Sequence, residues 1–445
     1  MRSRLLAWAA VVALSFSGPA LAEIDCSDPV TGALPVTVQA DLHHPRTRFE
    51  GWGTALAWFA NVTGGYPEPV REKLADLLYR PEGLGFTIAR YNIGGGNPPG
   101  IAPYLRPGAD VPGFWRLVGP NTAWRPEDEA QWDWSADPRQ RWWLDAIRNR
   151  VPESERLFEA FSNSPPWFMT VSGRVSGAQS GLDNNLRPGQ EALFAAYLAR
   201  TVDELQTRHQ IRFRTLSPVN EPNTPYWHAA NRQEGSHWSP DAQERIILAT
   251  DRALKARGLD TRVAAMDETN SQTFVRNWAR YGAPARAAIG QLNVHGYDIT
   301  GQTGVRDIAA ASGIRLWMSE VDLSAANSHE DFQDLDSALA LAEHIVLDLK
   351  RLEPSAWVFW QAIEDLSGQR GGGSNWGLIK MDLSAAAPAD HPWHVTTKYW
   401  AMANFSRYLR PGYRLLTVDD PDTIAAVAPG GGEIVFVHVN PGLAP

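Results

Sequence analysis

The feature that most constrains this chain is a rhythm. From Phe49 onward, short apolar runs alternate with longer amphipathic ones, as repeated βα units around a parallel sheet require. The runs with strand character are 49–55, 86–92, 157–162, 215–219, 262–266, 291–295, 314–319 and 356–360. Eight is the number that closes a barrel. Between them, 69–79, 138–149, 190–208, 240–257, 271–280 and 331–352 read as helices. Asp137 before Pro138, and Ser239 before Pro240, read as N-caps followed by proline at the first helical position.

The expected fold is therefore α/β: a (β/α)8 TIM barrel over residues 49–402. Strands at 34–42, 414–418, 424–428 and 434–440 lie outside it and imply a small side β-domain built from both termini, 23–48 and 403–445. The segment 94–134 is too long and too rich in Gly, Pro and Trp for an ordinary connection, and reads as a wall of a substrate cleft.

Residues 1–22 have the form of an export signal. Arg2 and Arg4 precede the apolar run from Leu5 to Phe16, and Ala20-Leu21-Ala22 offers small residues before a cut. That run is too short to span a bilayer. The expected location is secreted or periplasmic. The single cysteine, Cys26, allows no disulfide within the chain. A net charge of -9 without a basic tract points away from nucleic acid and anionic membrane as partners and toward a neutral substrate, and a monomer is expected. The chain holds 19 tryptophans, whose flat faces suit the C–H faces of sugars while the indole N–H still donates a hydrogen bond.

Two segments carry the chemistry. Ser-Pro-Val-Asn-Glu-Pro-Asn, from Ser217 to Asn223, and Leu-Trp-Met-Ser-Glu-Val-Asp, from Leu316 to Asp322, each end an apolar run with a glutamate. Strand ends are where such a barrel keeps its reacting groups, and cutting a glycosidic bond takes one carboxyl as proton donor and another as nucleophile or base. Glu221 and Glu320 are the expected pair. Asn220 beside the acid is placed to bind the sugar 2-hydroxyl. Arg90, ending strand two, is expected to keep Glu320 ionised. His295 and Tyr297, closing strand six, offer an imidazole to orient a carboxylate or sugar and a phenol to hold the nucleophile. Asp267-Glu268 are rival acids, read as supporting or rim groups.

Trp52, Trp58, Trp167, Trp227 and Trp360, at or just past strand ends, are the expected sugar platforms. Gly94-Gly95-Gly96 reads as a flexible turn, because it lacks the Gly-Lys-Ser/Thr ending of a phosphate loop. No His, Asp or Glu cluster has metal-ligand spacing in the sequence, so no metal and no organic cofactor are expected.

Several segments together carry a resemblance: Gly51-Trp52-Gly53-Thr54, Arg90-Tyr91-Asn92-Ile93-Gly94-Gly95-Gly96, Ser162-Asn163-Ser164-Pro165-Pro166-Trp167, Asn220-Glu221-Pro222, Gln233-Glu234-Gly235, Ser319-Glu320 and Trp360-Gln361. By these the chain resembles glycoside hydrolase family 30, within it the endo-β-1,6-galactanase-like group. Ser236 stands where many relatives are expected to carry a cysteine. The resemblance implies a (β/α)8 barrel with a side β-sandwich and retention of anomeric configuration; the terminal strands are too few to complete that sandwich, so it is expected to be incomplete at its C-terminal end. It also implies Glu221 as acid/base, Glu320 as nucleophile, and Ser164 and Trp167 in the cleft-lining stretch. Substrates of that group are β-1,6-linked galactans, as in arabinogalactan side chains. The alternatives are the same mechanism on another β-glycan, β-1,6-glucan or xylan, and a non-catalytic carbohydrate-binding protein.

Overall fold

Eight parallel strands close into a barrel: β1 (Gly51–Ala55), β2 (Ile88–Asn92), β3 (Leu157–Phe161), β4 (Phe213–Ser217), β5 (Arg262–Asn270), β6 (Ile289–Asp298), β7 (Arg315–Glu320) and β8 (Ala356–Phe359). The ring shuts where β8 pairs with both β7 and β1. The computed structural model describes residues 11–15, 37–117, 123–325, 331–366 and 375–440. Each expected strand is present, shifted by a few residues at its ends. β5 and β6 run furthest past expectation, through Asn270 and Asp298, and carry the barrel rim over the site.

The expected helices are also present, as Glu68–Tyr79, Pro138–Arg148, Glu191–His209, Pro240–Ala256, Ser271–Arg280 and Leu335–Arg351. Gln302–Ser312 is a helix the periodicity does not announce. Its apolar stripe is short, Val305 with the half-buried Ile308 and Ala309, and only Gln302 and Val305 are fully buried. Thr397–Ser406 is also unannounced, because it buries Lys398 beside Tyr399, Met402 and Phe405 and leaves Trp400 exposed, which blurs the period. Of the two expected N-caps, Ser239 holds: its hydroxyl accepts from the Ala242 N–H. Asp137 does not. Its backbone is left-handed, with φ 52°, and its carboxylate turns inward to accept from Tyr91 Oη and, at 2.7 Å, from Gln140 Nε2.

Side chains alternate between barrel interior and surrounding helices, with period two. Arg90 faces Glu159 across β2–β3, and Glu159 faces Thr215 across β3–β4. One interior layer is thus polar. Ile88, Trp317, Ala356 and Val358 form a separate apolar cluster, with half-buried Leu157 packed against it. The main core lies outside the staves, between strands and helices.

The terminal strands form one antiparallel sheet, in the order Val11–Ser15, Glu433–His438, Thr423–Val427, Arg414–Val418, Ala40–Asp41. Among the described residues the side domain is this single sheet, not two facing ones. Of the expected strand 34–42 only Ala40–Asp41 pairs, and 34–36 fall outside the described residues. Val11–Ser15 belongs to the segment expected to stay out of the fold; here it pairs along Glu433–His438, whose outer edge offers unpaired N–H and C=O groups to any strand-forming run. Cys26 lies outside the described residues. No helix among the described residues is long and apolar enough to cross a membrane.

Candidate active site

Glu221 sits just beyond β4, at the start of a long excursion that returns at Ser239. Its backbone is left-handed, with φ 45°, and its N–H donates to the Asp267 carbonyl at 2.8 Å, pinning this turn against β5. Its own carbonyl accepts from Thr224 Oγ1 at 2.9 Å and Trp227 Nε1 at 2.8 Å. Glu320 is the last residue of β7 and stands in register with His295 of β6. Period-two alternation then puts Tyr297 on the same face as His295, and its hydroxyl donates to Glu320 Oε1 at 3.1 Å. The Tyr226 hydroxyl donates to Glu221 Oε2. His295 Nδ1 lies 3.3 Å from Glu221 Oε1 and 3.3 Å from Glu320 Oε1. One ligand atom from each of Glu221, His295 and Glu320 lies within 4.8 Å of the others.

Beneath the pair is a buried charge network. Arg90, fully buried, donates through Nε to Glu159 Oε1 at 2.8 Å. Its Nη1 donates to the Ser319 carbonyl at 3.0 Å and to Glu320 Oε2 at 3.4 Å, while Nη2 lies 2.9 Å from Asp267 Oδ2. Glu159 also accepts from Thr215 Oγ1, Gln291 Nε2 and Asn293 Nδ2 at 2.6 to 2.8 Å. Asp267 accepts from Ser319 Oγ at 2.6 Å and from Ser217 Oγ, and faces His295 Nε2 at 3.3 Å. Although burial works against it, the Asp267 carboxyl is held well below the usual range by Arg90 and then His295. His295 is pushed up to about 10: burial opposes its charge, but Glu320, Asp267 and Glu221 outweigh it. Both ring nitrogens face carboxylate oxygens, which suits an imidazolium.

Glu320 departs from expectation. Burial, helped by the neighbouring Glu221 and Asp267, pushes it up to about 7, against the pull of His295 and Arg90. Arg90 alone does not keep it ionised; the cation of His295 opposes the shift more strongly than Arg90 does. Asp267 and Glu268 both lie buried, as supporting groups. Glu268, pushed up to about 8 by burial, accepts from Asn277 Nδ2 at 2.6 Å and Gln243 Nε2 at 3.1 Å.

Above the pair opens a cleft of about 590 Å³, lined among others by Trp58, Arg106, Asn163, Asn220, Trp227 and Trp360. Asn220 Oδ1 is buried without a hydrogen-bond partner. Trp58 and Trp360 meet edge to face, ring centroids 5.1 Å apart. Four expected cleft residues lie elsewhere, and a fifth reaches the pair only from below. Trp52, 1% exposed, donates to the Leu409 carbonyl and packs on Phe49, Trp357 and Phe405: β1 turns this side chain outward, into the core. Ser164 is buried off the cleft, its hydroxyl on the Pro165 carbonyl, and Asn163 lines the wall instead. Trp167 packs against Trp115 and Phe168, away from the glutamates. Arg90 is sealed below the carboxylates and cannot touch a substrate, and His295 reaches the pair from the same side.

From the segment 94–134, Arg106 lines the cleft, its guanidinium 4.6 Å from the Trp58 ring. Instead Trp132 stacks on Trp134 and on Tyr197, and Trp124 meets Trp132 and Tyr197 edge to face. Sequence reading misses Tyr226 and Glu159 altogether. Tyr226 follows the Asn-Glu-Pro segment by a few residues, the only signal that could have flagged it. Glu159 reads as one polar residue in an apolar strand, and such a residue inside a barrel strand is itself a signal.

Among the described residues, Glu221, His295 and Glu320 are also the one group with metal-like spacing. The positive charge a metal would supply is already there, from Arg90 at 3.4 Å and a cationic His295. Two carboxyls, each held by a phenol and joined by one imidazole in an aromatic-walled cleft, are the kind of groups that acid–base and nucleophilic attack on an acetal would use.

Proteins of known character agree with that chemistry. The model of O-glycosyl hydrolase family 30 matches residues 35–287. An endo-β-1,6-galactanase from Hypocrea rufa is 32% identical over 419 residues, covering 89% of this chain and 79% of that protein. An exo-β-1,6-galactobiohydrolase from Bifidobacterium longum subsp. longum is 32% identical over 428 residues, covering 75% of this chain and 28% of that longer protein. The solved structure of an endo-β-1,6-glucanase superposes with a TM-score of 0.68 at 17% identity, over 92% of this chain and 88% of that one. With the barrel closed, the paired carboxyls in place and these relatives alongside, the chain belongs to O-glycosyl hydrolase family 30 and is a glycoside hydrolase.

Proposed function

We propose that this protein is an exported retaining hydrolase of β-1,6-galactosidic bonds, in galactan or arabinogalactan side chains. The observation that carries the mechanism is the convergence of Glu221 and Glu320, with oxygens within 4.8 Å. Retaining glycosidases hold their carboxyls about 5–5.5 Å apart, whereas inverting ones leave about 6.5–9.5 Å for a water. The linkage rests on the two relatives of 32% identity, both named for β-1,6-galactose bonds. Export rests on the leader-like segment 1–22.

In the first step Glu320 attacks the anomeric carbon while Glu221 gives its proton to the departing glycosidic oxygen. A glycosyl ester on Glu320 forms and the leaving sugar departs with its hydroxyl restored. In the second step Glu221, now a carboxylate, takes a proton from water as that water attacks the same carbon. The ester breaks, Glu320 is freed and one water has been consumed. Tyr297 and Arg90 steady the nucleophile, and Asn220, through its unpartnered Oδ1, is placed to accept a hydrogen bond from a sugar hydroxyl. Trp58, Trp227 and Trp360 supply aromatic faces to the sugar rings.

The test is Glu320→Gly assayed on β-1,6-galacto-oligosaccharides with added azide. Formation of β-linked parent product by the wild type, and of a glycosyl azide of inverted configuration by the variant, is the expected result. Hydrolysis by the variant at the wild-type rate refutes the nucleophile. Wild-type cleavage of β-1,6-gluco- or xylo-oligosaccharides alone refutes the galactan assignment.

A further inference from the structure

One buried acid on the cleft wall has no part in the mechanism. Glu234 lines the cleft and is 2% exposed. Its Oε1 accepts from the Gly95 N–H at 3.3 Å, and its Oε2 has no hydrogen-bond partner. Two glycines set its position. A Cβ on Gly95 would come within 2.8 Å of the Pro165 carbonyl oxygen and 2.9 Å of Val175 Cγ1, so only glycine brings that N–H to the acid. The turn after β2 is thus a close-packed cradle rather than the flexible loop its composition suggests. A Cβ on Gly235 would meet the Trp227 ring at 2.0 Å; its absence lets the indole lie against the backbone, where it also holds the Glu221 carbonyl. The segment Gln233-Glu234-Gly235 is thereby locked to the acid/base and to β2 together.

A buried oxygen left unpaired costs about 1–3 kcal/mol, a cost removed when a ligand group arrives to pair it. The groups facing Glu234 are the Gly95 and Gly96 N–H groups, Asn92 and Asp110. Burial first, then the negative charge of Asp110, push it well above the usual carboxylate range. A neutral carboxyl donates and accepts at once, as a sugar hydroxyl does.

We propose that Glu234 is a specificity-determining residue: its free carboxyl edge hydrogen-bonds one hydroxyl of the sugar bound in the cleft, selecting glycans that carry a hydroxyl at that position. This rests on the glycosidase reading of the same cleft. Sites built to pair a hydroxyl reject the analogue that lacks it, because their own polar group is then stranded.

The test is calorimetric binding of β-1,6-galactobiose, and of its monodeoxy analogues, to Glu320→Gln protein, which does not turn over. Adding Glu234→Leu weakens galactobiose binding about 10- to 100-fold, whereas Glu234→Gln, which also donates and accepts, weakens it only a few-fold. One monodeoxy analogue binds about as poorly to the Glu320→Gln protein as galactobiose does to the Leu variant, and loses nothing more in that variant. Equal galactobiose binding by the Leu variant, or losses that add for every analogue, overturns the proposal alone. Absence of any galactobiose binding to the Glu320→Gln protein overturns the galactan reading as well. Should Glu234→Leu not fold, the carboxyl infrared band removed by Glu234→Gln decides. It shifts on adding galactobiose and not on adding the critical deoxy analogue; a band unmoved by either refutes the proposal.

Discussion

His295→Asn isolates the electrostatics of the site. The imidazolium Nδ1 stands 3.3 Å from an oxygen of each glutamate. At an effective dielectric of about 20, a unit charge at that distance stabilises a carboxylate by about 5 kcal/mol, which sets a ceiling of between three and four pH units on its effect. Asparagine keeps a neutral N–H donor, Arg90 remains 3.4 Å from Glu320, and water enters the vacated space, so a net shift of about one to two units is expected. The sign follows from the role of the cation: it lowers the Glu320 pKa, so removing it raises that pKa above its value of about 7. Since the nucleophile must be ionised, the acidic limb of the kcat/KM profile moves to higher pH. Activity at pH 6 then falls at least about tenfold more than activity at pH 9. Initial rates on galactobiose between pH 5 and 10 measure this directly. A profile lowered by one factor at every pH, with its limb unmoved, refutes the electrostatic account and leaves His295 a spacer.

Two further outcomes follow from burial. Trp52→Ala is expected to destabilise the protein by about 3–5 kcal/mol, read by denaturant titration, with the KM of the folded protein unchanged; Trp360→Ala is expected to raise KM several-fold with a small effect on stability. A raised KM in Trp52→Ala would restore that residue to the cleft. Asp137, Glu320 and Glu364 are pushed up to about 7 by burial, and Glu268 to about 8. The native state therefore keeps protons that the unfolded chain releases above about pH 4, and stability falls as pH rises from about 5 to 8. His295, pushed up to about 10, acts in the same sense, since its stabilisation is lost as pH rises through that value. A melting temperature that climbs between pH 5 and 8 would contradict this.

The barrel is legible in sequence because each stave is an apolar run flanked by an amphipathic helix, and the two glutamates are legible because each ends such a run. What escapes is direction. Trp52 and Trp58 are near neighbours, and nothing local says that one faces the helices and the other the cleft; that depends on the pairing of β1 with β8. Asn163 and Ser164 lie past the end of β3, where no strand period says which of the two meets the cleft. Asp137 looks like a cap because it precedes a proline, but the partner that draws it inward, Tyr91, lies on another stave. Tyr226 and Glu234 act from within the excursion after β4, whose path is set by contacts such as Trp227 on Gly235 that no periodicity encodes.

The staves beneath the cleft are tied together by their own ionic and amide groups: Glu159 alone joins partners from β2, β4 and β6. A floor cross-braced in this way holds its shape without help from the loops overhead. The excursion 221–239 is tied to Glu221 through Tyr226 and Trp227, but the other loops are free to be exchanged for ones of different contour while the paired carboxyls keep their alignment. Transplanting the walls of a relative onto this base is the economical route to a changed diet.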